Sequence, residues 1–88
     1  MNTVQMTNHA AIRRQQRGIP PLVIDWLLAY GQREKSRGAT KVRFDRKARK
    51  ALARDVGCRT LSLMSKYLSV ALVVDPETDL VITVEWLH

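Results

Sequence analysis

His9, Arg13 and Arg17 stand four residues apart in the run His9-Ala10-Ala11-Ile12-Arg13-Arg14-Gln15-Gln16-Arg17-Gly18-Ile19. On an α-helix, positions i, i+4 and i+8 share one face. An imidazole that titrates near neutral pH would then stand beside two permanent cations. That combination suits acid–base work on a phosphate, or phosphate binding alone. The neighbouring arginines favour the neutral imidazole, which suits a base better than an acid. The plainer alternatives are a histidine that caps or packs near a helix start, and arginines that are solvated or paired with Asp25 or Glu85.

A second cationic face lies further along. Arg46, Lys47, Lys50 and Arg54 share one arc of a helical pattern whose other arc carries Ala48, Ala51, Leu52 and Val56. This face reads as a general contact for RNA or an acidic partner, or as a merely solvated surface. The whole chain agrees with it in sign. Fifteen Lys and Arg against eight Asp and Glu give a net charge of +7, with a pI near 10.3. Such a balance favours polyanions: nucleic acid, an acidic protein or an anionic surface. The aromatics Trp26, Tyr30, Phe44, Tyr67 and Trp86 do not interleave with the basic runs. That disfavours binding on an aromatic platform, and Tyr67 and Trp86 read as core residues.

The remaining composition narrows the classes. The 88 residues suit one domain with a modest core. No apolar run approaches the ~18 residues of a membrane span, and residues 1–8 lack a signal-peptide core. A cytoplasmic location is expected, and the lone Cys58 agrees because it has no internal disulfide partner. One cysteine and two distant histidines give no metal-ligand spacing, so neither a metal nor a cofactor is expected.

The elements that would position these residues follow from caps and periodicity. Thr7 or Asn8 caps a first helix from His9 that stops at Gly18. A second helix starts at Pro20 or Pro21. It runs through Leu22-Val23-Ile24-Asp25-Trp26-Leu27-Leu28-Ala29-Tyr30 to Gly31, nearly fully buried. Gln32–Ser36 and residues 40–44 form a hairpin around Arg37-Gly38-Ala39. Asp45 caps the basic helix Arg46–Val56, closed by Gly57. Residues 58–66 fit a loop, a helical turn or a short strand, and residues 1–7 fit a loose segment or an edge strand. Residues 67–74 and 80–87 alternate as strands, the second with Leu80, Ile82, Val84 and Trp86 on one side and Thr83 and Glu85 on the other. The order α-α-β-β-α-β-β predicts an α+β domain: two N-terminal helices packed on a four-stranded antiparallel sheet, with an additional basic helix between the strand pairs.

The front pattern His-Ala, two residues, Arg, three residues, Arg-Gly-Ile, followed by a buried helix ending in Gly, resembles an uncharacterised family, domain of unknown function forty-two fifty-eight. The closing run Val81-Ile82-Thr83-Val84-Glu85-Trp86 resembles that family's C-terminal strand. The family is grouped with the barnase/EndoU/colicin/RelE-like fold of small metal-independent ribonucleases, many of them toxins. The resemblance implies that fold, a toxin-like endoribonuclease activity, and functional positions at His9, Arg13, Arg17 and Thr83. The long basic helix Arg46–Val56 departs from the family pattern.

Metal-free RNA cleavage needs a base for the 2′-hydroxyl proton, an acid for the leaving 5′-oxygen and cations for the crowded phosphorane. His9 would serve as base or acid, and Arg13 and Arg17 would hold the phosphate in a fork. Thr83 would donate to a non-bridging oxygen and Glu85, on the same strand face, would be the complementary base. Lys66, Tyr67 and His88 are spare candidates. Thr83 also reads as an ordinary strand residue, and Glu85 as a surface residue or arginine partner. Two rival readings stand beside cleavage: a non-catalytic nucleic-acid-binding domain, and a basic module that docks an acidic antitoxin-like protein.

Overall fold

Local signals set most element boundaries. The computed structural model describes residues 4–87, so His88 lies outside the described residues. Thr7 is the N-cap of helix α1 (Asn8–Gln16), its hydroxyl accepting the Ala10 amide. Arg17 is the C-cap of α1, and Gly18 follows at φ 63° in the expected C′ position. Pro21 opens α2 (Pro21–Tyr30), where a missing amide proton costs nothing. Gly31 ends it, and a Cβ there would run into the Val42 side chain and the Leu27 carbonyl.

Strands β1 (Gln32–Ser36) and β2 (Ala39–Arg43) follow as a hairpin. Arg37 and Gly38 make its two-residue turn, both at positive φ, as a type I′ connection requires. Asp45 then caps α3 (Arg46–Val56) by accepting the Ala48 amide. Gly57, at φ 90°, separates α3 from a short helix, α4 (Cys58–Leu63). A 3-10 turn over Ser65–Ser69 leads into β3 (Val70–Val74), and the chain closes with β4 (Val81–Trp86). Between β3 and β4, Asp75 accepts the amides of Glu77 and Thr78, which hold its carboxyl below the usual carboxylate range.

The four strands form one antiparallel meander in the order β1-β2-β3-β4. Helices α1 and α2 pack on it and α3 packs against α2, so the expected α+β architecture holds, basic helix included. One sheet face carries Val42, Val70, Leu72, Val74, Val81 and Val84, all fully buried against Val23, Ile24 and Leu27 of α2 and Leu52 of α3. Burying one such side chain stabilises the fold by about 1.5–3 kcal/mol. This layered core holds both basic helices in place.

Three expectations need correction. Helix α2 buries one face rather than nearly its whole surface: Leu22 is 46% exposed, and Asp25 and Ala29 face solvent. Strand β3 starts at Val70, because residues 65–69 wind into a 3-10 turn that brings Tyr67 onto Trp86, ring centroids 5.8 Å apart. The alternation in β4 breaks at a bulge opposite Val73 and Val74. Val81 and Val84 therefore both enter the core, while Ile82 is 37% exposed.

Candidate functional site

Helix α1 lies along the outer edge of β4. The Val81 amide donates to the Gln5 carbonyl, and the Thr7 amide donates back to the Val81 carbonyl. Met6 forms a parallel bridge with Val81, so this segment pairs with the sheet edge. The Thr7 hydroxyl donates to the Ile82 carbonyl at 3.1 Å. Ala10, fully buried, is the contact of α1 with the core.

This placement decides what the α1 arginines do. Arg17 donates to the Val84 carbonyl at 3.3 Å, and the Trp86 indole donates to the carbonyl of Arg17 at 3.3 Å. Arg14 donates to the Ile19 carbonyl at 2.9 Å. Arg14 thus closes a carbonyl of the connector between α1 and α2, and Arg17 one that the sheet edge leaves open. His9 is exposed in the first turn, Arg13 is half-buried one turn later, and neither side chain has a hydrogen bond or ion pair among the described residues.

Thr83 and Glu85 occupy the sheet face turned away from α2. The register sets Thr83 beside Val73 and Glu85 beside Ala71, in rows that continue to Lys41 and Arg43 on β2. Glu85 pairs with Lys41 at 3.3 Å, diagonally across β3. Arg43 pairs with Glu34 at 2.9 Å on the same face. The expected set is therefore divided: no hydrogen bond or ion pair joins His9, Arg13 or Arg17 to Thr83 or Glu85 among the described residues. Of the spare candidates, Lys66 sits over the Tyr67 ring at 5.0 Å, and Tyr67 and Trp86 pack at the margin of the core.

Helix α3 differs. Ala48 and Leu52 are buried, Ala51 and Val56 are half-buried, and Arg46, Lys47, Lys50 and Arg54 are all exposed, as the arc pattern requires. At its start a cleft of about 540 Å³ is lined by Arg43, Phe44, Asp45, Arg46, Arg49, Lys50 and Ala53. Arg49 is fixed across it, its Nε donating to the Phe44 carbonyl at 3.3 Å and one terminal nitrogen to the Leu68 carbonyl at 3.2 Å. Asp55, the acidic residue of α3, accepts the Tyr30 hydroxyl at 2.6 Å. That bond, with burial and the carboxylate charge, raises the Tyr30 pKa above its usual value of 10.0.

Arg43 and Arg49 were not among the expected contact residues. Two signals pointed to them: Arg49 is one turn from Arg46, and Arg43 lies two residues before the Asp45 cap. Among the described residues, no group of His, Cys, Asp and Glu could hold a metal ion. No helix among the described residues is long and apolar enough to cross a membrane. No family model matches the chain, and neither does any curated protein or solved structure.

Proposed function

We propose that this domain binds nucleic acid, RNA foremost, through the outer face of α3 and the cleft at its start. One observation carries the reading. Every cation of α3 is exposed, and none has an ion-pair partner among the described residues. The helix's own carboxylate is turned to Tyr30. A cationic ridge without internal counter-charges is what a phosphate backbone neutralises, with release of its counterions. The resemblance of the His9 to Ile19 run to a ribonuclease-like family weighs toward RNA over DNA.

The test is the affinity for a fluorescent single-stranded RNA across a salt series. Four phosphate contacts give log affinity against log salt a slope of about −3. Charge reversal at Arg46 and Lys50 should flatten that slope, and His9→Ala should leave it alone. A salt-independent affinity, or none, overturns the reading.

Cleavage is the second reading, favoured by one feature: His9 is exposed one turn before Arg13, and both side chains are unengaged within the described chain. Incubation with RNA in EDTA reads it directly. Products that disappear in His9→Ala establish a ribonuclease, and intact RNA leaves a binding domain. An acidic antitoxin-like protein would address the same α3 face and would compete with RNA in the same assay.

A further inference from the structure

We propose that the cleft where β2 meets α3 receives a terminal phosphomonoester of a nucleic-acid strand, while the rest of the α3 face tracks the internal phosphodiesters. The inference rests on the nucleic-acid reading above and assigns its two parts different ligands. The cleft, about 540 Å³, is shallow and open to solvent, which suits a charged terminal group that keeps part of its hydration. Four cations line it: Arg43, Arg46, Arg49 and Lys50. Lys47 and Arg54 belong to the same helix but not to the cleft wall.

Two of the four cations are set before any ligand arrives. Glu34 holds Arg43 through Nε and one terminal nitrogen, at 3.3 and 2.9 Å. The Phe44 and Leu68 carbonyls hold Arg49. A guanidinium carries five N–H donors, so each retains donors for an anion. Fixing them in advance lowers the ordering cost of binding. Arg46 and Lys50, one turn apart, supply charges without internal partners.

The charge count selects the ligand. Asp45 lies in the cleft and Glu34 beside Arg43, so four cations are offset by two carboxylates, leaving an excess of two positive charges. A phosphomonoester carries about −1.5 to −2 at neutral pH, whereas each backbone diester carries one negative charge. The Asp45 carboxylate is already spent on the Ala48 amide. The attraction therefore comes from the converging side chains and not from the helix start.

The experiment compares one internally labelled single-stranded RNA in three forms: 5′-phosphate, 3′-phosphate, and hydroxyl at both ends. Fluorescence anisotropy reads the affinity of wild type, of Arg46→Ala combined with Lys50→Ala, and of Arg54→Ala. The expected result is that one or both phosphorylated forms bind about tenfold tighter than the hydroxyl form, the worth of one charge-assisted hydrogen bond. The double variant should lose that preference, and Arg54→Ala should weaken all three forms alike while keeping it. Equal affinity of wild type for the three forms, with binding intact, overturns this inference and leaves the nucleic-acid reading standing. A preference that survives in the double variant also overturns it. No binding of any form overturns the nucleic-acid reading, and the inference falls with it.

Discussion

Helices α1 and α3 both carry rows of arginine, and they use them in opposite ways. On α1, Arg14 and Arg17 donate to the carbonyls of Ile19 and Val84. On α3, Arg46, Lys47, Lys50 and Arg54 point to solvent with no ion pair among the described residues. The cause lies in what each helix sits against. Helix α1 runs beside the outer edge of β4, whose carbonyls have no further strand to pair with. Helix α3 packs on α2 and α4, away from any strand edge, with its ends closed by Asp45 and by the Gly57 amide on Ala53. Arg49 alone of its cations donates to carbonyls, those of Phe44 and Leu68, and the other four are left over from folding. An arginine near an open carbonyl completes a fold; an arginine with none is free for a ligand.

The largest effect that would break this contrast is loss of the inner face of α3. Leu52 is fully buried, and Leu52→Ala should cost about 3 kcal/mol in urea unfolding, transfer and cavity together. RNA binding should fail with it, because the outer face keeps its geometry only while the inner face is packed.

Charge reversal on the outer face separates binding from folding. Arg46→Glu, Lys50→Glu and Arg54→Glu combined should lower RNA affinity about 100-fold at moderate salt. Each change should alter stability by no more than about 0.5 kcal/mol, since the side chains are exposed and unpaired. A large loss of stability in the triple variant would mean that these cations hold the fold after all.

Arg17 gives the reciprocal result. Arg17→Ala removes the donor to the Val84 carbonyl and should cost about 1 kcal/mol in the same unfolding assay. RNA affinity should stay within about twofold of wild type. The opposite outcome, unchanged stability with a large loss of binding, would make α1 the nucleic-acid helix and restore the His9, Arg13, Arg17 row to the centre of function.

How far the sequence revealed this contrast depends on the range of the forces involved. Helix α3 was legible at both ends and on both faces, because Asp45, Gly57 and the 3.6-residue pattern are local signals. The hairpin was legible at Gly38 for the same reason. The use of Arg17 was not legible, since its acceptor lies 67 positions away and only the packing of α1 on β4 brings it near. The same holds for the bulge opposite Val73 and Val74, which set Val81 in the core against a strict alternation. Residues 58–66 were ambiguous because Leu61 and Leu63 also fit a strand period, whereas Gly57 at positive φ allows a second helix to start at once.

The smallest predicted effect sharpens the contrast from within α3. Asp55 is the one anion on a helix of cations, and the Tyr30 hydroxyl of α2 holds it at 2.6 Å. Because the Tyr30 pKa is raised above 10.0 in the folded chain, chiefly by this hydrogen bond, the bond stabilises the neutral phenol. Its contribution is complete below the unfolded value and is lost as pH rises through the folded one. Wild type should therefore lose stability across alkaline pH relative to Tyr30→Phe, which has no proton to release. At pH 7 the substitution frees the Asp55 carboxylate beside Arg54 and should weaken RNA binding by no more than about twofold. Parallel thermal midpoints of the two proteins from pH 8 to about pH 11 would show that the bond adds nothing, and that Asp55 is separated from the cationic face by packing alone.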